Sequence, residues 1–443
     1  MRRIPVLGCA ASPGSDAPRL RAKTPYNPIL MSKNETGLDR LRSRPTPAGI
    51  PSAVRFPDYA GMSITAIPDL VCSALGLPTA PGALVEAAAL EAFDRVLLVI
   101  VDGLGFHRAA RFLDGARDSA LAHIAKTGSL RPITTVFPST TVAALSTYST
   151  GLAPAQHGLI GYRLYLREIS AVTNMIQLSV VGGDAPAAAS GLDVDALLPC
   201  PTIYERLRDK GVTTHTLLPR YIAGSGLSRI LYRGATHIHP TVSLADMLTF
   251  ARHILERSAR RTLVTLYWPE LDSVAHTRGP DSDAYQAELQ SFDDALRREL
   301  VGRIDRTLLI LSSDHGFVTM EPEDYRPLSS QPELPERLLL RPVGEPRASY
   351  LFLRQGSAPP WALPATLDDG LIALSARAAV DAGLLGPGVP HAEVLSRVGD
   401  VLVVSTGKDG LYHPYPDSPF LRGMHGGLTE DELYVPLFVS PLM

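Results

Sequence analysis

Five short stretches of this 443-residue chain carry residues that could do chemistry together: VIVDGLG, FPSTTVAALSTYSTG, ELDSVAHTRGP, LLILSSDHGF and GMHGG. They supply Asp102, Thr141, Asp272, His276, Asp314, His315 and His425. Carboxylate and imidazole donors without a thiolate suit Zn²⁺, or Mn²⁺ or another divalent first-row ion, in an incompletely filled catalytic shell. Asp272 and His276 are four apart, so on one helical turn both point the same way. Threonine is a poor nucleophile at its own pKa and needs metal coordination to become one. Thr141 follows Pro138 and a candidate cap, Ser139, at an expected helix start whose N–H groups favour a phosphate. Thr140 is the competing residue. Each piece alone has a plainer reading: VDGLG as an ordinary strand-to-helix turn, SDHG as a polar turn, Asp272 with His276 as a surface pair, and His425 as a structural histidine. Their joint occurrence behind expected strands points to a two-metal hydrolytic site.

The elements that must position these residues alternate strand and helix. Arg95–Val101 is a near-continuous aliphatic run, as in strands buried on both faces of a parallel sheet, and similar runs recur at Thr262–Tyr267, Thr307–Leu311 and Tyr434–Val439. Helix-like stretches cover Ile67–Leu75, Ala109–Thr127, Thr141–Tyr148 and Asp283–Val301. This alternation predicts an α/β fold, a three-layer αβα sandwich around a mostly parallel sheet, with ligands outside the carboxyl ends of the strands. Residues 1 to about 55 are rich in Pro, Ser, Arg and Lys without periodicity and read as a disordered leader, in which Met31, like Met62 beyond it, could be the true start. The remainder, 56–443, reads as one catalytic domain with cap-forming insertions at about 163–255 and 320–400.

A formal charge of 42 minus 45, or −3, predicts no broad basic field for a nucleic-acid polymer or an anionic membrane. Cys9, Cys72 and Cys200 are widely spaced, which argues against a disulfide framework and for a reducing compartment, so a cytoplasmic location is expected. The apolar run Ile4–Leu7 before Gly8-Cys9 is too short for a signal peptide, and no stretch approaches a membrane span.

Thr141 stands ten residues before the glycine of Thr150-Gly151, since 151 minus 141 is 10. With DSVAH, SDHGF and GMHGG following in order, the chain resembles the alkaline phosphatase superfamily, and within it the type I phosphodiesterase and nucleotide pyrophosphatase branch. The resemblance implies that Asp272, His276 and His425 hold one metal, and that Asp102, Asp314, His315 and Thr141 hold the other. It implies a phosphodiesterase or nucleotide pyrophosphatase working on a small phosphorylated substrate, such as a nucleotide, through a phospho-threonine intermediate. Two departures qualify it. The branch has an asparagine about 21 residues past its nucleophile, where this chain has Tyr162, a candidate donor to the phosphoryl oxygen. FPST also begins before Thr141 rather than after it. A phosphomonoesterase or phosphonate hydrolase shares the metal site and would want a further cation, for which Arg163, Arg220 and Arg278 are candidates. An inactive metal-binding interaction module is the alternative of another class. His157 reads as part of a structural turn, and His237, His239 and His413 as loop residues.

Overall fold

The computed structural model describes residues 37–442 apart from 80–81, 83, 85–92, 184–185, 332, 369 and 416–419. Most of the expected leader therefore lies outside the described residues. Residues 37–55 are packed: Leu38, Leu41 and Val54 are buried in the main core, and Arg42 donates to Glu430 at 2.7 and 3.0 Å. The buried apolar side chains there are few and well separated and the ion pairs reach distant partners, a pattern too sparse to register as periodicity.

The main sheet has seven strands: β1 (Arg95–Val101), β2 (Ser129–Thr134), β3 (Thr213–Pro219), β4 (His237–Thr241), β5 (Thr262–Trp268), β6 (Thr307–Ser312) and β7 (Tyr434–Leu442), in the spatial order β2-β7-β6-β1-β5-β3-β4. The pairs within β6-β1-β5-β3-β4 are parallel, and β7 runs antiparallel to both β6 and β2. β1, β5 and β6 are buried along their whole lengths, as both faces are covered by helices. On one face lie α1 (Ile67–Ala74), α4 (Thr141–Thr150) and α5 (Ile203–Arg208); the opposite face carries α3 (Ala120–Thr127), α6 (Leu244–Arg257) and α8 (Asp283–Glu299). The expected helix Ala109–Thr127 is two helices, α2 (Phe106–Gly115) and α3, with Ser119 capping the second through Ala122 N–H at 3.0 Å. α7 (Glu270–Arg278) follows β5 directly.

A second, eight-stranded sheet is antiparallel throughout. It joins strands from 163–180 to strands from 343–405, so the two expected insertions build one structure rather than two. Its period-two pattern separates two cores: Tyr350, Ile372, Leu402 and Val404 face the main core, while Leu351, Leu371, Val401 and Val403 form a smaller cluster behind. The expected boundary at 255 lies elsewhere, because residues 203–257 return to the main sheet as α5, β3, β4 and α6. β3 (TTHTLLP) and the largely exposed edge strand β4 (HIHPT) lack the long aliphatic run of the central strands and carry polar and proline residues, which hid them in the sequence. His237 and His239 accordingly stand on a strand rather than in a loop, and His413 is buried with Nε2 2.8 Å from Ser349 Oγ.

Arg347 and Glu432 join the two sheets. Both side chains are fully buried, and the guanidinium donates to Glu432 at 2.6 and 2.8 Å and to the carbonyls of Gly407 and Lys408, both at 2.6 Å. Removing one member of such a pair leaves the other charge buried and uncompensated, so Arg347→Met should cost about 3–5 kcal/mol in urea unfolding, with much of it restored in the double variant Arg347→Met/Glu432→Leu. His157 is buried as a neutral ring, accepting from Leu159 N–H at Nδ1 (3.1 Å) and facing Thr147 Oγ1 with Nε2 (3.2 Å). Burial foremost pulls its pKa down from 6.5 to about 3. Its contribution to stability is therefore complete above pH 6.5 and lost as the pH falls toward about 3. Chemical unfolding of His157→Gln across that window should show a shallower dependence on pH than the wild type.

Candidate active site

The seven candidate residues converge at the carboxyl ends of β1, β5 and β6. Asp102 leaves β1 with its N–H on Trp268 O at 3.0 Å. Gly103 then turns the chain at φ +80, where a Cβ would lie 2.5 Å from the Phe317 ring, and its N–H reaches Asp314 Oδ1 at 3.1 Å. Leu104 N–H donates to Ser313 Oγ at 2.9 Å, so the turns after β1 and β6 hold each other. Asp314 and His315 are fully buried beyond β6, and the Thr135 hydroxyl donates to Asp314 O. α7 presents Asp272 and His276 from one turn. His425 arrives in the turn before β7, where Gly426 N–H donates to Ser139 Oγ (3.1 Å) and Gly427 N–H to Glu432 Oε1 (2.8 Å).

Two groups of donors result, Asp272 with His276 and His425, and Asp102 with Asp314 and His315; within each, ligand atoms lie within 4.8 Å of one another. His315 Nε2 is 3.5 Å from Asp102 Oδ1, 3.4 Å from Asp314 Oδ2 and 3.2 Å from Thr141 Oγ1. Asp272 Oδ1 is 3.4 Å from His276 Nε2 and 4.0 Å from His425 Nε2. The His315 and His425 rings stack at 3.8 Å between centroids, with Phe317 packed edge-on against both.

The side chains fit divalent ions in three respects. Asp102 Oδ1, Asp272 Oδ1 and Asp314 Oδ2 are buried without a hydrogen-bond partner, which is costly unless something else satisfies them. Each histidine is placed to donate its Nδ1–H to a backbone carbonyl: His276 to Gly423 (2.8 Å), His315 to Gly316 (3.1 Å) and His425 to Ser139 (3.0 Å). That leaves three Nε2 lone pairs facing the carboxylates, as in metal-binding histidines whose other ring N–H is held by a carbonyl. The donor separations of 3.2–4.0 Å bracket the roughly 3.3 Å between ligands of a tetrahedral ion with bonds of about 2.0–2.1 Å. Burial, then Asp314 and Asp272, push Asp102 well above the usual carboxylate range, and burial also raises Asp272. A nearby dication would reverse both shifts.

Thr141 opens α4, and Thr140 is its N-cap residue. The expected cap, Ser139, is otherwise engaged, since its hydroxyl donates to Gly427 O (2.8 Å) and so ties the His425 turn to α4. Thr140 is fully buried and its hydroxyl donates to Glu345, leaving the first N–H groups of α4 without a side-chain cap. Glu345 is a site residue that sequence reasoning missed. It lies in the second sheet, in a stretch without a motif, yet its Oε2 is 3.4 Å from His425 Nδ1 and burial raises its pKa to about 8. Tyr162 stands apart from the ligands: its hydroxyl accepts from Asn174 Nδ2 at 2.8 Å, and Arg163 lies over its ring at 4.9 Å. Of the candidate cations, Arg163 comes near enough to act on Glu345, Arg278 is exposed at the end of α7, and Arg220 lines a cavity of about 190 Å³ with Tyr221, Met247, Trp268 and Glu270.

A mostly parallel α/β sheet with two Asp/His donor groups at its strand ends is the architecture of the alkaline phosphatase superfamily, and similarity to known proteins places the chain there. Murine ectonucleotide pyrophosphatase/phosphodiesterase 5, solved as an inactive variant with AMP, superposes with a TM-score of 0.59 at 18% identity over 77% of this chain and 87% of that one. Phosphonoacetate hydrolase from Sinorhizobium meliloti 1021 with phosphonoformate gives 0.58 at 18% over 78% and 90%. A search of curated proteins gave no match. The profile of the type I phosphodiesterase / nucleotide pyrophosphatase family matches residues 96–342, 247 of the 443, and the chain belongs to that family, whose members are phosphoric ester hydrolases.

Chelator treatment should lower the melting temperature, and restored Zn²⁺ or Mn²⁺ should raise it, by about 2.7 kcal/mol of stability at a hundredfold excess over Kd. Asp314→Asn should lower the metal content by one ion per chain, as read by atomic emission after gel filtration.

Proposed function

We propose that the chain hydrolyses phosphodiester or pyrophosphate bonds of small substrates, nucleotides among them, through a covalent phosphoryl group on Thr141. The observation that carries this is the position of Thr141 Oγ1 at the uncapped start of α4, 3.2 Å from His315 Nε2 and so at the edge of the donor cluster. Two divalent ions, most simply Zn²⁺, held by Asp272, His276 and His425 and by Asp102, Asp314, His315 and Thr141, would supply positive charge to the phosphoryl oxygens and lower the pKa of the attacking hydroxyl.

Thr141 Oγ1 loses its proton to solvent and bonds to phosphorus as the P–O bond opposite it breaks, and the departing alcohol or phosphate oxygen takes up a proton from solvent. Water then attacks phosphorus from the vacated side, breaks the Thr141 ester and returns a proton to Oγ1. The first N–H groups of α4 point toward phosphoryl oxygens, where a helix start favours an anion. Tyr162 retains its own hydroxyl proton when it accepts from Asn174, and in this reading it donates to a non-bridging oxygen in place of an amide. Thr140 is unsuited to the attack because Glu345 holds its hydroxyl. The cavity beside α7, walled by Arg220, Tyr221 and Glu270, is open volume for the group beyond phosphorus. A cytoplasmic setting belongs to the same reading and rests on composition alone.

A second reading, hydrolysis of a monoester or phosphonate, is favoured by one observation: Tyr162 carries Arg163 over its ring where the family has only an asparagine amide. Thr141→Ala should abolish turnover of bis-p-nitrophenyl phosphate while leaving metal content nearly intact, and Thr140→Ala should keep most turnover while losing stability through the unpaired Glu345. The reverse order would move the attack to Thr140. On matched nitrophenyl substrates the diester should have the higher kcat/KM, and a tenfold monoester advantage, about 1.4 kcal/mol, would establish the second reading. Tyr162→Phe should lower kcat more than it raises KM.

A further inference from the structure

Three histidines outside the active site meet at the open edge of the main sheet. His215 lies on β3, and His237 and His239 alternate along the edge strand β4, with His215 paired to His237 in register. His215 Nδ1 and His239 Nε2 are 2.9 Å apart, with ring planes 9° from parallel and centroids 5.2 Å apart, which is two imidazoles lying edge to edge in one plane. The His237 ring lies 4.7 Å from that of His215 and 5.9 Å from that of His239. Phe250 of α6 packs edge-on against His239 at 4.7 Å and limits its rotation. His215 pairs with Val264 of β5, which pairs with Leu97 of β1; Asp102 lies five residues farther along β1, about 16 Å at roughly 3.3 Å per residue. The cluster is thus remote from the catalytic donors.

We infer that His215, His237 and His239 form a separate binding site for a divalent transition ion such as Zn²⁺, Ni²⁺ or Cu²⁺. An all-imidazole donor set favours these ions over Mg²⁺ and Ca²⁺. Two nitrogens on a tetrahedral ion stand about 3.3 Å apart, so the His215–His239 contact opens by about 0.4 Å as both rings turn their lone pairs off the line that joins them. The proton shared in that contact moves to an outer ring nitrogen by a change of tautomer, and binding releases no proton. His237 is exposed, and its ring, stacked on that of His215 in this structure, has to turn toward the same point to serve as the third ligand. Burial, and then the other two rings, pull His215 down to about 4, so it keeps its lone pairs at neutral pH. Such an ion would staple β4 to β3 along a strand edge that is otherwise open to solvent.

The full-length protein and its His237→Gln/His239→Gln variant are stripped with chelator, equilibrated in Zn²⁺ buffered at micromolar free concentration, and compared by zinc content, melting temperature and diester turnover. The expected result is one zinc fewer per chain in the variant, a smaller zinc-induced rise in melting temperature, and unchanged turnover. Equal zinc content in the two proteins overturns the site. Should that variant fold poorly, as judged by its turnover, His215→Gln serves the same comparison, and retention of the extra zinc there overturns the site equally.

Discussion

Three buried carboxylates facing one another repel, and a cation between them offsets that repulsion. Asp102, Asp272 and Asp314 each turn one unpartnered oxygen inward, and mutual repulsion adds to burial in raising Asp102. Much of the surrounding structure serves to hold this unfavourable arrangement in place. Tyr267 donates its hydroxyl to Asp102 Oδ2, Gly103 and His315 donate their N–H groups to Asp314 Oδ1, and three backbone carbonyls fix the histidine tautomers. These contacts occupy the outward atoms and turn the inward ones to the site, so protein contacts of their own hold the ligand side chains in place. Preorganisation of this kind avoids reorganisation during the reaction.

The second sheet belongs to the same construction. Arg347 and Glu345 leave neighbouring positions of one hairpin, the first to pair with Glu432 behind the His425 turn and the second to take the Thr140 hydroxyl and approach His425. Segments expected from sequence to form a cap thus also brace His425 within the site. Substitutions in the hairpin at 343–351 would reach the chemistry through the position of His425 without touching substrate.

The parts legible in the sequence are those where a single local rule operates. β1 shows as seven consecutive buried positions, and Asp102, Asp314 and His315 stand out because a parallel strand presents the residues just past its end to ligands. Asp272 and His276 show through helical spacing. β3 and β4 were obscured because strands near a sheet edge need no continuous aliphatic run, and residues 37–55 because their contacts are few and distant. Glu345 carried no signal, since its meaning comes wholly from partners at Thr140 and His425, 205 and 80 positions away in the chain. Ser139 looked like a helix cap by type, and tertiary demand from the Gly426-Gly427 turn redirected its hydroxyl.

The position of β7 has a consequence for the order of assembly. It lies between β2 and β6 and is, among the described residues, the main-sheet strand that pairs with β2, so until it inserts, β2 is not part of the sheet, and Thr135, which follows β2, lacks the frame that brings its hydroxyl to Asp314. The ligands themselves span 425 minus 102, or 323, positions. Contacts of such long range carry a large loop-closure cost and slow folding. A partly folded chain would hold its first carboxylates in place with no His425 to complete the set, so tight metal capture should report completion of the fold rather than guide its early steps.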